Sequence, residues 1–558
     1  MLGHRRRVEL CVAVAPPGEA DVGRPRLVAF VLAAGIGKTE IGILLPDPVA
    51  RELLEGRQPG RLALEPAAQA VDQEQAVDQR GEQAQRQDDE SGHGRSAGSR
   101  KKSARPADDA GITEGSAADL RRTPCQRRRS GRRIESRHRW RSTVSTPSTA
   151  LPLDLAALRR ARDEIGDAVL HTAQWTNDPL SQLVGARLQL KLENLQRTGS
   201  FKIRGATLKI HRLIEAGEAG RGVIAASAGN HAQGVARAAG LAGLPCTVVM
   251  PRGAALTKID ACRGLGARVE LEGDNLEQAA ARAEEMARAD KLAFLHPYDD
   301  WDVIAGQASC GLEIYDDAPD STVAIVPLGG GGLISGVALA LKLQNPMIRV
   351  IGVQTEAVAP FRRFLDDGSL EEVPASAHTI ADGIRVKRPG RLTRQVIAAH
   401  VAQIVTVDDN AIAEAMVLLL ERTRTIGEGA GVVGLAALMQ GKVALAADDR
   451  VVCVVSGGNV DMSLVGRSID YGLASSGRLM SISVTISDAP GHLLRLIRAV
   501  AALGMNIRHV EHRRGELHVP VGMTEVILQA ETRDFDHQRE LLQHFADQGL
   551  GVRNLLAP

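Results

Sequence analysis

The sequence predicts an α/β protein of two lobes, each a parallel or mixed sheet with helices on both faces. A small α+β module of β-α-β-β-α(β) order follows, and a disordered extension precedes. Three observations lead there. From about 150 to 475, short apolar runs alternate with Ala-rich amphipathic stretches, the alternation that parallel sheets require. That span exceeds 300 residues, large for one sheet, so it divides into two lobes with a cleft between them, the smaller at about 195–310. Near Leu479 the pattern shifts to shorter strands and two helices, giving a module of regulatory size over 478–558.

Taken in order, the first 145 residues do not read like the rest. Between 72 and 143 the only large apolar residues are Val77, Ile112, Leu120, Ile134 and Trp140. Such a stretch buries too little surface to offset its ordering entropy. Its Arg-rich patch RRTPCQRRRSGRRIESRHRWR has the charge to bind RNA or lipid headgroups, but reads first as a solvated tail. AAGIGKTE fails as a phosphate loop because its first glycine would fall on Leu32. The abrupt change in composition predicts that native translation begins near Val144. Order starts with PLDLAALRRARDEI, where Asp154 is a helix N-cap and Leu155, Leu158 and Ile165 share a face. The buried strands are GVIAA (222–226), CTVVM (246–250), VAIVP (323–327), RVIGV (349–353) and VVCVV (451–455). In the last part SISVTIS, NIRHVEHRR and TEVILQAE are strands, with helices at 492 to about 503 and 536 to about 548.

Composition excludes several classes. Lys and Arg number 68 against 67 Asp and Glu, a net charge of +1, so nothing in the whole-chain field attracts nucleic acid or a membrane surface. No apolar run approaches the ~20 residues of a bilayer span, and the N-terminal apolar run, broken by Pro16 and Pro17, is too short for a signal peptide. Cysteines 11, 125, 246, 262, 310 and 453 form no C-x-x-C pair, against a metal ribbon or disulfide scaffold and in keeping with a reducing cytoplasm.

Four motifs carry chemistry. In LENLQRTGSFKIRGA (192–206), Lys202 sits at a helix start between Phe201 and Ile203. Desolvation there favours the neutral amine of a Schiff-base nucleophile, where most lysines are merely solvated. In IAASAGNHAQGVA (224–236) a strand runs through Ser227, Gly229, Asn230 and His231 into a helix. Amides at a helix start and the Ser227 hydroxyl suit a substrate carboxylate; alternatively Asn230 is a helix cap and His231 a satisfied surface histidine. In VAIVPLGGGGLISGVALAL (323–341) a strand ends in Gly329, Gly330, Gly331 and Gly332 before a helix. Glycine costs ~1 kcal/mol against Ala inside a helix, so four together imply backbone approaching a phosphate. Neither a dinucleotide fingerprint nor a nucleotide P-loop fits, so the phosphate belongs to something smaller. In VVCVVSGGNVD (451–461) Ser456 lies at the carboxyl end of a buried strand, where α/β sheets place ligands, although Ser-Gly-Gly is also ordinary turn chemistry.

SFKIRGA, SAGNH, GGGG and SGGN, in this order, resemble the fold-type II pyridoxal-phosphate enzymes, most closely the threonine ammonia-lyases, also called threonine dehydratases. The resemblance covers roughly 150 to 475 and includes HPYDDWDVIAGQ (296–307) and TIADGIRVKRPG (379–390); the C-terminal part, with DAPGHLLRL and ALGMNIRHVE, resembles an ACT domain, a small amino-acid sensor. It implies pyridoxal 5'-phosphate as the cofactor, held as a Schiff base by Lys202, which then serves as acid and base. Phe201 would pack on the ring, Asn230 would bond its phenolic oxygen, and Ser456 would face the pyridine nitrogen. Gly329, Gly330, Gly331 and Gly332 would bind the phosphate, and Ser227, Gly229 and His231 the substrate carboxylate. Threonine would lose water to give an enamine, whose hydrolysis takes water back and releases ammonia and 2-oxobutanoate, the first step of isoleucine synthesis, with serine as a secondary substrate. A cytoplasmic homo-oligomer, a tetramer, is implied. So is isoleucine or valine feedback through Asp488, Gly491 and Asn506.

Departures from related enzymes narrow the expectation. Serine racemases resemble this chain but carry a second serine where Ala228 stands, so elimination is expected over racemisation. Gln354, in GVQTEAVAP, stands where some relatives have a metal-binding glutamate, so no metal is expected. Glu428, in EGAG, matches a family acidic position near the active site or else caps a helix. Arg385 replaces what is more often a small residue. A serine-preferring dehydratase, another fold-type II enzyme and a non-catalytic amino-acid sensor are the alternatives; an intact Lys202 speaks against the last.

Overall fold

The computed structural model describes residues 151–374, 376–515 and 517–556, and three strands nearer the N-terminus. Those three, Glu9–Val12, Leu27–Ala33 and Glu40–Pro46, pair antiparallel in chain order. They are apolar runs within the 1–145 extension for which the sequence predicts disorder, an expectation that rests on the composition of 72–143. The rest of 1–150, including the Arg-rich patch and the start expected near Val144, lies outside the described residues. Met1–Glu135 and Ser136–Pro558 are separate units, and all that follows concerns the second.

Its larger sheet has six strands in the order Gln403–Val407, Arg349–Thr355, Val323–Pro327, Arg450–Val455, Arg187–Leu192 and Gln174–Thr176. Every neighbouring pair is parallel except the last. Val and Ile fill both faces of the central strands because helices cover both; all five residues of Val323–Pro327 are buried. Helix Gly429–Met439, buried from Gly429 to Leu438, runs through this core. The smaller sheet is parallel throughout, in the order Arg268–Leu271, Cys246–Met250, Val223–Ala226 and Ala293–Phe294. The larger sheet takes two strands from before the smaller lobe and four from after it. The chain therefore crosses between lobes twice, and the strand ends at the crossings are where an α/β protein places a site.

Helix ends follow local chemistry. Asp154 Oδ1 accepts from Ala157 N at 2.7 Å, as the sequence predicts, and Leu158 and Ile165 of helix Leu155–Ile165 are buried. Asn275, Asp300, Asp408, Asp461 and Asp534 cap five later helices in the same way.

One buried feature escapes the sequence pattern. Arg204, fully buried on helix Lys202–Glu215, donates from Nε to Glu193 Oε2 (2.7 Å) and from Nη1 to Glu313 Oε1 (2.6 Å). Its Nη2 reaches both Glu193 Oε1 and Glu313 Oε2 at 2.8 Å, and Ser309 Oγ and the Leu170 carbonyl take the remaining bonds. Lys191, also fully buried, pairs with Glu313 at 2.8 Å. Burial would raise the Glu193 carboxyl, but the Arg204 and Lys191 charges hold it below the usual carboxylate range. Cys246, Cys262, Cys310 and Cys453 are free and buried. Burial pushes the Cys246 and Cys453 thiols up to about 12 and Cys262 to about 11, and also raises Cys310.

The C-terminal module has the order strand Leu479–Ser487, helix His492–Ala502, strands Asn506–Arg513 and Met523–Glu531, helix Phe535–Asp547 and a short strand Val552–Asn554. Its four strands form one antiparallel sheet, with Asn506–Arg513 and Val552–Asn554 at the edges. Met480, Ile482, Val484 and Leu528 meet Leu496, Leu541 and Phe545 of the helices in a core of their own.

Candidate active site

The lysine motif and the Ser-Gly-Gly-Asn motif are zipped together by backbone. Phe201 N donates to the Ser456 carbonyl at 3.2 Å and Gly458 N to the Gly199 carbonyl at 2.9 Å, with an antiparallel bridge between Ser200 and Gly457. Lys202, first residue of its helix, is thereby fixed beside Ser456 at the end of strand Arg450–Val455. Lys202 Nζ donates to the Pro297 carbonyl at 2.9 Å and lies 5.2 Å from the Phe201 ring centroid. Burial depresses its ammonium to about 8 against the opposing field of Glu428, so a substantial fraction of the amine is neutral near physiological pH. Ser456 is buried, and its hydroxyl has no hydrogen-bond partner among the described residues.

The Ser-Ala-Gly-Asn-His turn leaves the wholly buried strand Val223–Ala226 and enters helix Asn230–Leu241. Ser227 Oγ accepts from Gly229 N at 3.1 Å, which braces the turn. Asn230 Nδ2 donates to Glu428 Oε1 at 2.6 Å, and Asn230 Oδ1 accepts from Asn459 Nδ2 at 2.8 Å. Asn459 also donates to the Thr198 carbonyl at 2.7 Å. These partners fix the amide's orientation and leave one Nδ2 hydrogen for a ligand. His231 is not a surface residue: its ring is buried and its Nε2 bonds the Leu295 carbonyl at 3.0 Å. Burial and the Lys202 charge lower it to about 3, so the ring stays neutral and only the His231 backbone remains with the turn.

Glu428 precedes helix Gly429–Met439 but makes no side-chain bond to the helix end. It does not cap that helix, and its carboxylate bonds Asn230 instead. Burial raises its carboxyl to about 7, with Asp382 adding in the same direction and Asn230, Lys258 and Lys202 opposing. Buried Glu428 and half-buried Asn230 and Lys202 thus form one group, in which the Lys202 and Glu428 charges each favour the other's ionised form.

The glycine run follows strand Val323–Pro327 and opens helix Gly332–Gln344. The amides of Gly329, Gly330, Gly331, Gly332, Leu333 and Ile334 find no acceptor among the described residues; the first bond of the helix is Ser335 N to the Gly331 carbonyl, 2.9 Å. Six free N–H groups at the positive end of a helix make an anion cradle. The glycines have a second cause. A Cβ on Gly330 would enter the Tyr298 ring, and one on Gly331, at φ 97°, would come within 2.8 Å of Thr393 Cβ. Tyr298 OH donates to the Arg388 carbonyl at 2.8 Å, and Asp299 Oδ1 accepts from Leu392 N at 2.7 Å. The stretch 296–299 thus ties the lysine's acceptor, Pro297, to the back of the cradle.

Asn459, Tyr298 and Asp382 are absent from the sequence-derived site. The asparagine of SGGN and the tyrosine of HPYDD stood in quoted motifs, but their partners are remote in sequence. Gln354 uses its amide within the protein, accepting from Phe361 N at 3.0 Å and donating to the Leu328 carbonyl at 3.3 Å. Among the described residues no group of three or more His, Cys, Asp or Glu is placed to hold a metal ion. Arg385 is exposed, its amide donating to the Asp382 carbonyl at 3.1 Å. In the module, Gly491 has φ 88° and starts helix His492–Ala502, while Asp488 takes Arg514 Nε at 2.9 Å. Asn506 pairs with Glu531 at the far end of the sheet. Ser487 and Leu479 mark those two ends, about 26 Å apart along the strand, so one chain does not bring Asn506 to Asp488 and Gly491.

The donor set fits pyridoxal 5'-phosphate. An amide cradle suits its phosphate, a depressed lysine its aldehyde, the spare Asn230 hydrogen its ring oxygen, and the unpartnered Ser456 hydroxyl its ring nitrogen. Comparison with known proteins agrees. The chain is 44% identical over 406 residues to the L-threonine ammonia-lyase of Thermotoga maritima, covering 72% of this chain and 99% of that protein. It is 41% identical over 318 residues to the L-threonine dehydratase catabolic TdcB of Escherichia coli K12, 57% and 96% of the two chains. Among solved structures, the processed form of threonine deaminase isoform 2 from Solanum lycopersicum superposes with TM-score 0.53 at 32% identity, covering 58% of this chain and 90% of that one. Maize serine racemase superposes with TM-score 0.54 at 32% identity, over 58% and 99%. The family model for the pyridoxal-phosphate dependent enzymes matches residues 165–457, more than half of the sequence, from ahead of the lysine motif to Gly457 within the last motif, and the chain belongs to that family.

Proposed function

We propose that the chain is a threonine ammonia-lyase, converting L-threonine to 2-oxobutanoate and ammonia. The observation that carries this is a lysine amine of depressed proton affinity, zipped by backbone to a neutral serine rather than to a carboxylate. Pyridoxal phosphate, when bound, supplies an electron sink for the charge left at the substrate's Cα. With cofactor and substrate bound, Lys202 would accept the Cα proton at Nζ. Asn230, locked by Glu428 and Asn459, directs its free amide hydrogen at the ring oxygen. Ser456 offers a hydroxyl, which would not enforce a protonated ring nitrogen, and this favours prompt loss of the β-hydroxyl as water, with the proton that Lys202 Nζ has taken. The amides of the Ser227–Asn230 turn orient the carboxylate. The departing enamine takes up water and yields the 2-oxo acid and ammonia.

The test is 2-oxo acid release by the full chain loaded with the cofactor, offered L-threonine, L-serine and D-serine, with Lys202→Ala as control. Release of 2-oxobutanoate from L-threonine that vanishes in the variant is expected, with slower release from L-serine. Faster turnover of L-serine than of L-threonine would favour the serine-preferring alternative. Interconversion of the serine enantiomers would contradict the argument from Ala228. The reading extends to the 478–558 module as an amino-acid sensor for isoleucine or valine, acting on a cytoplasmic homo-oligomer.

A further inference from the structure

An ion pair outside the catalytic group joins the two lobes. Lys258, on helix Leu256–Gly264 of the smaller lobe, donates from Nζ to Asp382 Oδ2 at 2.6 Å. Asp382 opens the single turn Asp382–Ile384 of the larger lobe. Its neighbour Gly383 lies against the catalytic group: a Cβ there would stand 3.5 Å from Glu428 Oε1 and 3.9 Å from Asn230 Nδ2. Ile384 backs the cradle, its Cα 3.0 Å from where a Cβ on Gly329 would be. This turn therefore touches the Glu428–Asn230 pair and the glycine run at once, and Lys258 fastens it to the opposite lobe. A weaker second pair, Lys387 with Glu277 at 3.7 Å, crosses between the same lobes just beyond it. The Lys258 and Asp382 side chains are 20% and 51% exposed, so water reaches the pair while Glu428 stays buried.

We propose that Lys258 and Asp382 are a positioning pair that latches the 382–384 turn across the cleft and so fixes the contact between Glu428 and Asn230. The kinetic part of this rests on the threonine ammonia-lyase reading; the latch itself does not. The charged groups facing Glu428 are Lys202 from the lysine helix, Lys258 from the smaller lobe and Asp382 from the turn. Asp461, at the start of helix Met462–Ser475, also feels Lys258. Removing Asp382's negative charge lets Glu428 ionise at lower pH. Removing Lys258's positive charge takes away an opposing field and leaves Asp382 unneutralised, so Glu428 ionises at higher pH. A merely structural pair, once broken, would not split the two variants in opposite directions.

The experiment uses the full, cofactor-loaded chain with Asp382→Asn, Lys258→Met, the exchanged double variant Lys258→Asp with Asp382→Lys, and Glu272→Gln as a control at the remote Arg252–Glu272 pair. Hydrogen exchange of the segment 379–386 is expected to quicken about threefold to fivefold in each single variant, the scale of an exposed ion pair. The exchanged double variant should restore protection, and the control should match the parent. With threonine, the acid limb of kcat/KM should move to lower pH in Asp382→Asn and to higher pH in Lys258→Met. Unchanged exchange in both single variants overturns the latch, as do pH limbs that move together or stay put. A parent enzyme inert toward threonine would count against the functional reading alone, since the exchange arm needs no turnover.

Discussion

Lys202 carries a consequence for assembly of the holoenzyme. Its depressed proton affinity means that the neutral fraction of the unloaded protein rises steeply as pH passes through about 8, well below 10.5 for an ordinary lysine. Cofactor capture, followed by the absorbance of the bound chromophore, should therefore speed up with pH and level off above about 8. In Glu428→Gln the curve should move to lower pH, because the carboxylate that favoured the ammonium is gone. A second residue-scale prediction concerns the cradle. Gly330→Ala drives a methyl into the Tyr298 ring and should weaken phosphate retention about fivefold to a hundredfold, the scale of a 1–3 kcal/mol overpacking penalty. Adding Tyr298→Ala should recover part of the loss. Lys202, Ser456 and the four glycines are legible in the sequence because each announces itself locally, by a helix start, a strand end or an implausible glycine run. Asn459 is not, since its meaning comes from Asn230, 229 residues away. The burial of the His231 ring is not legible either, because nothing local distinguishes a histidine that faces a cleft from one that faces a core.

Helix Lys202–Glu215 presents the lysine and is pinned two residues later by Arg204. Replacing Arg204 with Met strands two buried carboxylates, Glu193 and Glu313, and should cost about 3–5 kcal/mol, read as a lower urea midpoint. The same cluster fixes an acid limit. Glu193 has its folded-state proton affinity lowered, so its contribution to stability is complete above the unfolded carboxylate range, near ~4.3, and is lost as pH falls through the lower folded value. Acidification below about pH 4 should therefore destabilise the parent more steeply than an Arg204→Met, Glu193→Gln, Glu313→Gln variant. Elements themselves were the most legible level: CTVVM and VAIVP coincide with strands Cys246–Met250 and Val323–Pro327, because buried parallel strands are uninterrupted apolar runs. Short edges gave no such signal. Gln174–Thr176 is mostly exposed and only three residues long, and pairing alone makes it a strand. The Arg204 cluster was illegible for a different reason, since a charged residue inside an apolar helix pattern looks like its solvent face.

Over the whole molecule, the site and the module are consecutive along the chain. Two residues after Asn459 comes Asp461, cap of helix Met462–Ser475, and two residues beyond that helix Gly477, at φ 72°, turns the chain toward strand Leu479–Ser487. Arg508 of the module pairs with Asp470 on that helix at 3.0 Å, and Arg478 with Glu421 at 2.6 Å. The 406 residues aligned with the Thermotoga protein exceed the length of 150–475, so the likeness reaches beyond the catalytic part. Isoleucine is expected to slow 2-oxo acid release by the full chain and to lose that effect in Asp488→Ala or Asn506→Ala. Because those residues lie at opposite ends of one sheet, the response should also disappear on dilution to monomers, checked by sedimentation alongside activity. The βαββαβ order was readable from alternation, whereas its edge strands and its tie to the helix after Asn459 depend on pairing that no local pattern records. The buried cysteines give this architecture a built-in reporter. Cys246 and Cys262 lie in the smaller lobe and Cys310 and Cys453 in the larger, all four screened from reagent and held as thiols while the protein is closed. A brief pulse of alkylating agent followed by peptide mass analysis therefore times the opening of each lobe separately, with no residue replaced.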